Sequence, residues 1–166
     1  MALGTYSLES SFLKMYVFSS KKSLQHLKLT ESLQIATVQT ISGTGANHLG
    51  ALFLKKFLPE TSGKVYIGTP TWGNYLPLFN HAGFATVTYE HYDIITRQLS
   101  FPSILSAVRK APATSIFVFQ GCCHNPTAMN MSKDQWRQLA SEMKAANHFP
   151  FIGTSQSILH GYSILT

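Results

Sequence analysis

Five residues in the second half of the chain, Ser115-Ile-Phe-Val-Phe119, constrain its fold more than any other segment. They are apolar almost without interruption, the pattern of a strand buried on both faces rather than one alternating between core and water. Such a strand lies inside a parallel sheet with helices on either side. The surrounding sequence repeats the alternation. Val65-Tyr-Ile67 is a short β-rich run ending at Gly68, and Pro70-Thr-Trp-Gly73 leads into a helical pattern through Leu76, Phe79 and Ala82 that Gly83 closes. Ala85-Thr-Val-Thr-Tyr89 reads as the next strand. Ser100 is placed to cap a short helix with Pro102 in its first turn and Ile104, Leu105 and Val108 facing inward. Ser132 with Gln135 forms a capping-box pattern ahead of an apolar stripe of Trp136, Leu139, Ala140 and Met143, and Phe149-Pro-Phe-Ile152 begins a further buried strand. The alternation predicts an α/β architecture, a mostly parallel sheet with crossover helices, with ligands gathering at the C-terminal ends of the strands.

The composition, 166 residues with 45% hydrophobic content, suits one domain with a substantial core. The formal charge of +6 is scattered: Lys21-Lys22, Lys55-Lys56 and Arg109-Lys110 are the only adjacent basic pairs, and aromatics do not interleave with them, so a nucleic-acid surface is not expected. No apolar run reaches the roughly 18 residues of a membrane span, so a soluble chain is expected. Cys122 and Cys123 are neighbours, read as buried thiols in a reducing compartment rather than as a disulfide framework. Residues 1–34 are rich in serine and lysine. Their composition leans toward an organelle transit peptide but lacks arginine, and a helix on Leu8, Phe12 and Met15 or Tyr16 is the simpler expectation.

One segment stands out for chemistry. Thr37-Val-Gln-Thr-Ile-Ser-Gly-Thr-Gly-Ala46 is a β-prone run followed by a turn of small residues, and behind it Leu49, Phe53 and Phe57 recur at helical spacing. Gly43 and Gly45 permit a sharp turn, Ser42 and Thr44 offer hydroxyls, and the first free N–H groups of the helix favour an anion. The spacing matches neither the dinucleotide G-x-G-x-x-G pattern nor a Gly-Lys-Ser/Thr triphosphate loop. A glycine-containing loop entering a buried helix satisfies the same pattern. Trp72, on a loop at the same rim, offers a flat face for a ring, and Asn125 in Gln120-Gly-Cys-Cys-His-Asn-Pro-Thr127 offers a carboxamide.

Taken together, Val38-Gln-Thr-Ile-Ser-Gly-Thr-Gly-Ala46, Pro70-Thr-Trp-Gly-Asn74, Tyr89-Glu-His-Tyr-Asp93, Cys123-His-Asn-Pro-Thr127, Gln135-Trp136 and Phe149-Pro-Phe151 resemble, in order and approximate spacing, the aspartate aminotransferases, class I, fold-type I pyridoxal-phosphate enzymes. The match implies a segment of that family's large domain over residues 35–152, preceded by a poorly matching segment 1–34 and followed by a divergent tail 153–166. It further implies pyridoxal phosphate as cofactor. By resemblance Ser42, Gly43 and Thr44 hold its phosphate, Trp72 stacks on its ring, and Asn125 bonds the ring hydroxyl oxygen, with Trp72 and Asn125 also facing substrate. The family's substrates are aspartate and 2-oxoglutarate, its members work as dimers, and its compartments are cytoplasmic or mitochondrial.

The departures from the family pattern are as informative. The aspartate that pairs with the protonated ring nitrogen aligns with Gly153, the tyrosine three residues on aligns with Gln156, Tyr75 stands for a histidine after the tryptophan motif, and Ala128 stands for a glycine whose loss strains the loop if positive φ is required there. The Schiff-base lysine and the substrate arginines of the family lie downstream of Thr166, and none of this chain's lysines has a matching context. The expectation is therefore a segment that is inactive alone, with exposed strand edges and half of an apolar core uncovered. A noncatalytic module that associates with an intact aminotransferase subunit, and a general phosphate or nucleotide binder, are the alternatives.

Overall fold

The computed structural model describes residues 3–7, 14–18, 35–58 and 63–154. Nine strands, β1 (Leu3–Ser7), β2 (Lys14–Phe18), β3 (Ile35–Gln39), β4 (Lys64–Thr69), β5 (Ala85–Glu90), β6 (Tyr92–Asp93), β7 (Gln98–Leu99), β8 (Ile116–Gln120) and β9 (Phe149–Thr154), and four helices, α1 (Ser42–Phe57), α2 (Tyr75–His81), α3 (Phe101–Lys110) and α4 (Lys133–Ala145), lie among them. Seven strands form one sheet in the order β3-β2-β1-β9-β8-β4-β5, and β6 with β7 makes a small separate ribbon. Four of the sheet's six pairings are parallel; β1 alone runs against both its neighbours, β2 and β9. The C-terminal ends of β3, β2, β9, β8, β4 and β5 consequently share one rim.

The strand read from Ser115 to Phe119 does what its composition dictates. Ile116 and Val118 enter a core with Ala46, Ala51 and Leu54 of α1 and Leu78 and Phe79 of α2. Phe117 and Phe119 enter a second core with Ile104 and Val108 of α3 and Leu139 and Met143 of α4. The result is helix, sheet, helix, in three layers. Each fully buried Leu, Ile, Val or Phe side chain contributes about 1.5–3 kcal/mol relative to exposure.

Several helix ends follow their local chemistry. The Ser132 hydroxyl accepts from Gln135 N at 3.2 Å while Gln135 Oε1 accepts from Ser132 N at 2.8 Å, completing the capping box. Gly83, at φ +84°, closes α2 in the left-handed conformation that a Cβ would oppose. Ser100 occupies the cap position of α3, but its side chain makes no capping hydrogen bond.

Other expectations are corrected. The face that α1 buries is Ala46, Asn47, Gly50, Ala51 and Leu54, whereas Leu49 and Phe53 pack at its margin and Phe57 is 55% exposed. Small residues at the contact bring the helix close to its neighbours, and the larger ones rim it. In α4, Leu139 and Met143 are buried, Trp136 is half-buried and Ala140 is exposed. The helix expected through Met15 or Tyr16 is instead β2; Leu8 and Phe12 lie outside the described residues. Lys14-Met-Tyr-Val-Phe18 ends in three strand-favouring residues, and a strand here satisfies backbone groups that β3 would otherwise leave unpaired. β1 pairs with β9, and β3 and β5 form the edges of the sheet.

Truncating Phe151, which is fully buried against Phe79 at 5.1 Å, to alanine is expected to cost about 3–5 kcal/mol in urea unfolding. Ser132→Ala is expected to cost about 1 kcal/mol.

Candidate cofactor site

At the rim where six strands end in the same sense, β3 runs through Thr40 and Ile41 directly into α1. Ser42, Gly43 and Thr44 form the first residues of that helix, and no side chain caps it, so its leading N–H groups have no side-chain acceptor. Ser42 and Thr44 are exposed, and Ser42 sits at φ +67°, a left-handed conformation uncommon for a residue with a Cβ. The Thr40 hydroxyl donates to Ser42 O at 3.1 Å. One turn later Asn47, 4% exposed, donates from Nδ2 to Gly43 O at 2.9 Å and so ties the cradle to the helix.

Trp72 follows β4, after the cis Thr69–Pro70 bond. It is half-buried, packs against the core beneath α1, and meets Tyr75 edge to face at 5.1 Å. The tryptophan thus belongs to the core at one edge and to the rim at the other. Asn125 precedes the cis bond to Pro126 in the loop after β8 and is exposed. What fixes it is Gln120, a residue to which the sequence pattern assigns no role. Gln120 Oε1 accepts from Asn125 N at 2.8 Å and Gln120 Nε2 donates to Asn125 O at 3.2 Å. The position is recognisable as the last residue of a strand, but its reach across the loop is not. In the same loop Ala128 sits at φ +56°, the left-handed backbone expected to strain a residue standing for glycine. Cys122 is buried, whereas Cys123 is exposed, which corrects the reading of both as buried thiols.

Beneath this loop two imidazoles stack. His91 and His124 lie with ring centroids 3.9 Å apart and planes 18° from parallel, and His124 Nδ1 is 2.9 Å from Thr127 Oγ1. Burial, and for His91 also the proximity of His124, lowers both to about 4. They line a cavity of about 10 Å³ with Gly68, Thr71, Tyr75, Tyr89 and Gln120. Tyr89 Oη and His91 Nε2 are buried without a hydrogen-bond partner among the described residues.

The arginines do not converge on the rim. Arg109 on α3 pairs with Glu142 on α4, and Arg137 pairs with Asp134 at 2.6 Å within α4. Arg97 lies in the turn between β6 and β7. Among the described lysines, Lys55 donates to Gly83 O at 2.7 Å beside the opposite rim, where Lys64 also opens β4.

The uncapped start of α1 after β3, the aromatic face of Trp72 after β4 and the Asn125 carboxamide after β8 lie on one rim of an α/β sheet. Residues 18–153 match the family model for aminotransferase class I and II, and the chain belongs to that family. It is 52% identical over 118 residues to aminotransferase tasG of Hapsidospora irregularis, covering 71% of this chain and 36% of that protein. To the cytoplasmic aspartate aminotransferase of Saccharomyces cerevisiae it is 38% identical, covering 74% of this chain and 29% of the relative. Among solved structures, an aromatic-amino-acid aminotransferase from Burkholderia pseudomallei, covalently bound to pyridoxal phosphate, superposes with a TM-score of 0.62 at 39% identity, over 66% of this chain and 27% of the other. The chain thus spans about a third of the length of the relatives it matches. No helix among the described residues is long and apolar enough to cross a membrane.

The stacked histidines give the site a pH signature. Unfolded imidazoles take up protons below about 6.5, while the folded pair stays neutral down to about 4. The unfolded chain therefore binds more protons across that window, and stability falls as pH drops from about 6.5 towards 4. His91→Phe, which keeps a flat ring but removes one titrating group, is expected to flatten the decline in urea midpoint over the same range.

Proposed function

We propose that this chain is a cofactor-binding segment of an aspartate aminotransferase-like protein, holding pyridoxal phosphate without carrying out transamination alone. The observation that supports it best is the meeting of α1 with the strand ends: Asn47 holds the Ser42–Thr44 turn from one side, and its Oδ1 lies 4.0 Å from where a Cβ on Gly153 would stand. The phosphate cradle and the end of β9 are thereby within one helical turn of each other.

In this reading the N–H groups of Ser42, Gly43 and Thr44 and the hydroxyls of Ser42 and Thr44 bind the phosphate dianion. Each charge-assisted bond is worth about 1.5–3 kcal/mol, and the helix terminus adds about 0.3–1. Trp72 lies against the ring, contributing about 0.5–1.5 kcal/mol beyond burial. The Asn125 side chain, whose backbone Gln120 clamps, bonds the ring hydroxyl oxygen and, in a complete protein, a substrate carboxylate. When bound, the cofactor supplies an electron sink for amino-group chemistry. The family reaction is amino transfer between aspartate and 2-oxoglutarate, and that reaction requires a Schiff-base lysine, which acts also as the proton carrier, and substrate-gripping arginines. Arg109 and Arg137 are engaged by Glu142 and Asp134 instead. A dimeric assembly and a cytoplasmic or mitochondrial setting accompany this reading.

Titration of the purified chain with pyridoxal phosphate, followed by tryptophan fluorescence, tests it. Saturable quenching is expected, lost in Trp72→Ala and retained in Trp136→Phe, since Trp136 packs in the other core against Phe119. Borohydride is expected to trap no stoichiometric lysine adduct. Absence of quenching, or aspartate-dependent turnover by this chain, would overturn the reading.

A further inference from the structure

The end of β9 carries no side chain, and the space beside it is already taken. Gly153 is buried, pairs in register with Gln120, and accepts a hydrogen bond from Gly121 N at 2.7 Å. A Cβ at this position would stand 2.9 Å from the Tyr75 hydroxyl, with Phe119 O at 3.9 Å and Asn47 Oδ1 at 4.0 Å. A contact that short is not sustained, so a side chain at 153 displaces the phenol tip. Tyr75 is 4% exposed and wedged against Trp72.

The chemistry of the ligand says what that hydroxyl faces. On the pyridine ring of pyridoxal phosphate the phosphate arm and the hydroxyl flank the aldehyde carbon, and the nitrogen lies on the opposite side. With the arm held at Ser42–Thr44 and the hydroxyl at Asn125, a ring whose aldehyde is open to an incoming amine would present its nitrogen inward, toward the strand ends. We propose that the Tyr75 hydroxyl is the partner this chain offers to that nitrogen, donating a hydrogen bond to an unprotonated pyridine where a carboxylate at 153 would hold a pyridinium. The inference rests on the cofactor-binding reading above. Burial raises the phenol above its usual range, which keeps it a donor at every physiological pH. A neutral pyridine withdraws fewer electrons than a pyridinium, so Tyr75 and Gly153 together make a site that retains the cofactor while weakening its chemistry.

Two measurements test this. The first needs no ligand: Gly153→Ala is expected to lower the melting temperature by several degrees in the native background and much less beside Tyr75→Phe, which removes only the clashing oxygen. Equal losses in both backgrounds would overturn the clash. The second uses pyridoxal phosphate labelled with ¹⁵N in the ring. Bound to the native chain, its nitrogen is expected to show the unprotonated shift throughout pH 6–9. Tyr75→Phe, verified as folded by circular dichroism, is expected to bind roughly 2- to 12-fold more weakly. A protonated bound nitrogen, or unchanged affinity in Tyr75→Phe, would overturn the role of Tyr75 while leaving the phosphate cradle standing. Failure of the native chain to show saturable fluorescence quenching would overturn both readings, and the two failures are told apart by that signal.

Discussion

Burial of β8 from both sides is the constraint on which the rest of this structure depends. Ile116 and Val118 are held by α1 and α2, Phe117 and Phe119 by α3 and α4, so one strand is the shared wall of two cores. Its last residue, Gln120, inherits that rigidity and transmits it through two hydrogen bonds to Asn125. A loop residue that would otherwise be free is thus placed by the packing of a strand that never contacts a ligand.

The same logic organises the rim. The small residues Ala46, Gly50 and Ala51 bring α1 close enough for Asn47 to reach both the start of its own helix and the end of β9. Larger residues on that face would hold the cradle farther away. The backbone strain at Ser42 and Ala128, both left-handed with a Cβ, lies at the two loops expected to touch the ligand, where a stabilising framework tolerates local cost. Left-handed backbone also occurs away from this rim, at Arg97 between β6 and β7 and at Thr114 and Asn147 ahead of β8 and β9.

Much of this architecture is legible in residue types and their spacing. The strands at 64–69, 85–90, 116–120 and 149–154 and the helices at 101–110 and 133–145 follow from periodicity and capping residues, because those signals are local and the three-layer burial reinforces them. The roles assigned to Ser42, Gly43, Thr44, Trp72 and Asn125 come from motif resemblance, and the fold brings their loops to one rim. The exceptions lie where tertiary demand overrides local pattern. Met15 and Tyr16 pair between neighbours in a sheet instead of turning as a helix, and Phe57 repeats at helical spacing yet remains in solvent.

By itself the sequence determined the layer architecture, which is written in residue types and their spacing, while the phosphate role of the turn at 42–44 and the carboxylate expected at residue 153 come from the family resemblance. Only the tertiary structure decided what stands beside residue 153. Tyr75 and Gly153 stand far apart along the chain, and no local rule relates them. Packing of α2 against the sheet sets the phenol in the space a side chain at 153 would need, so two substitutions that look independent in the sequence occupy one volume in the fold.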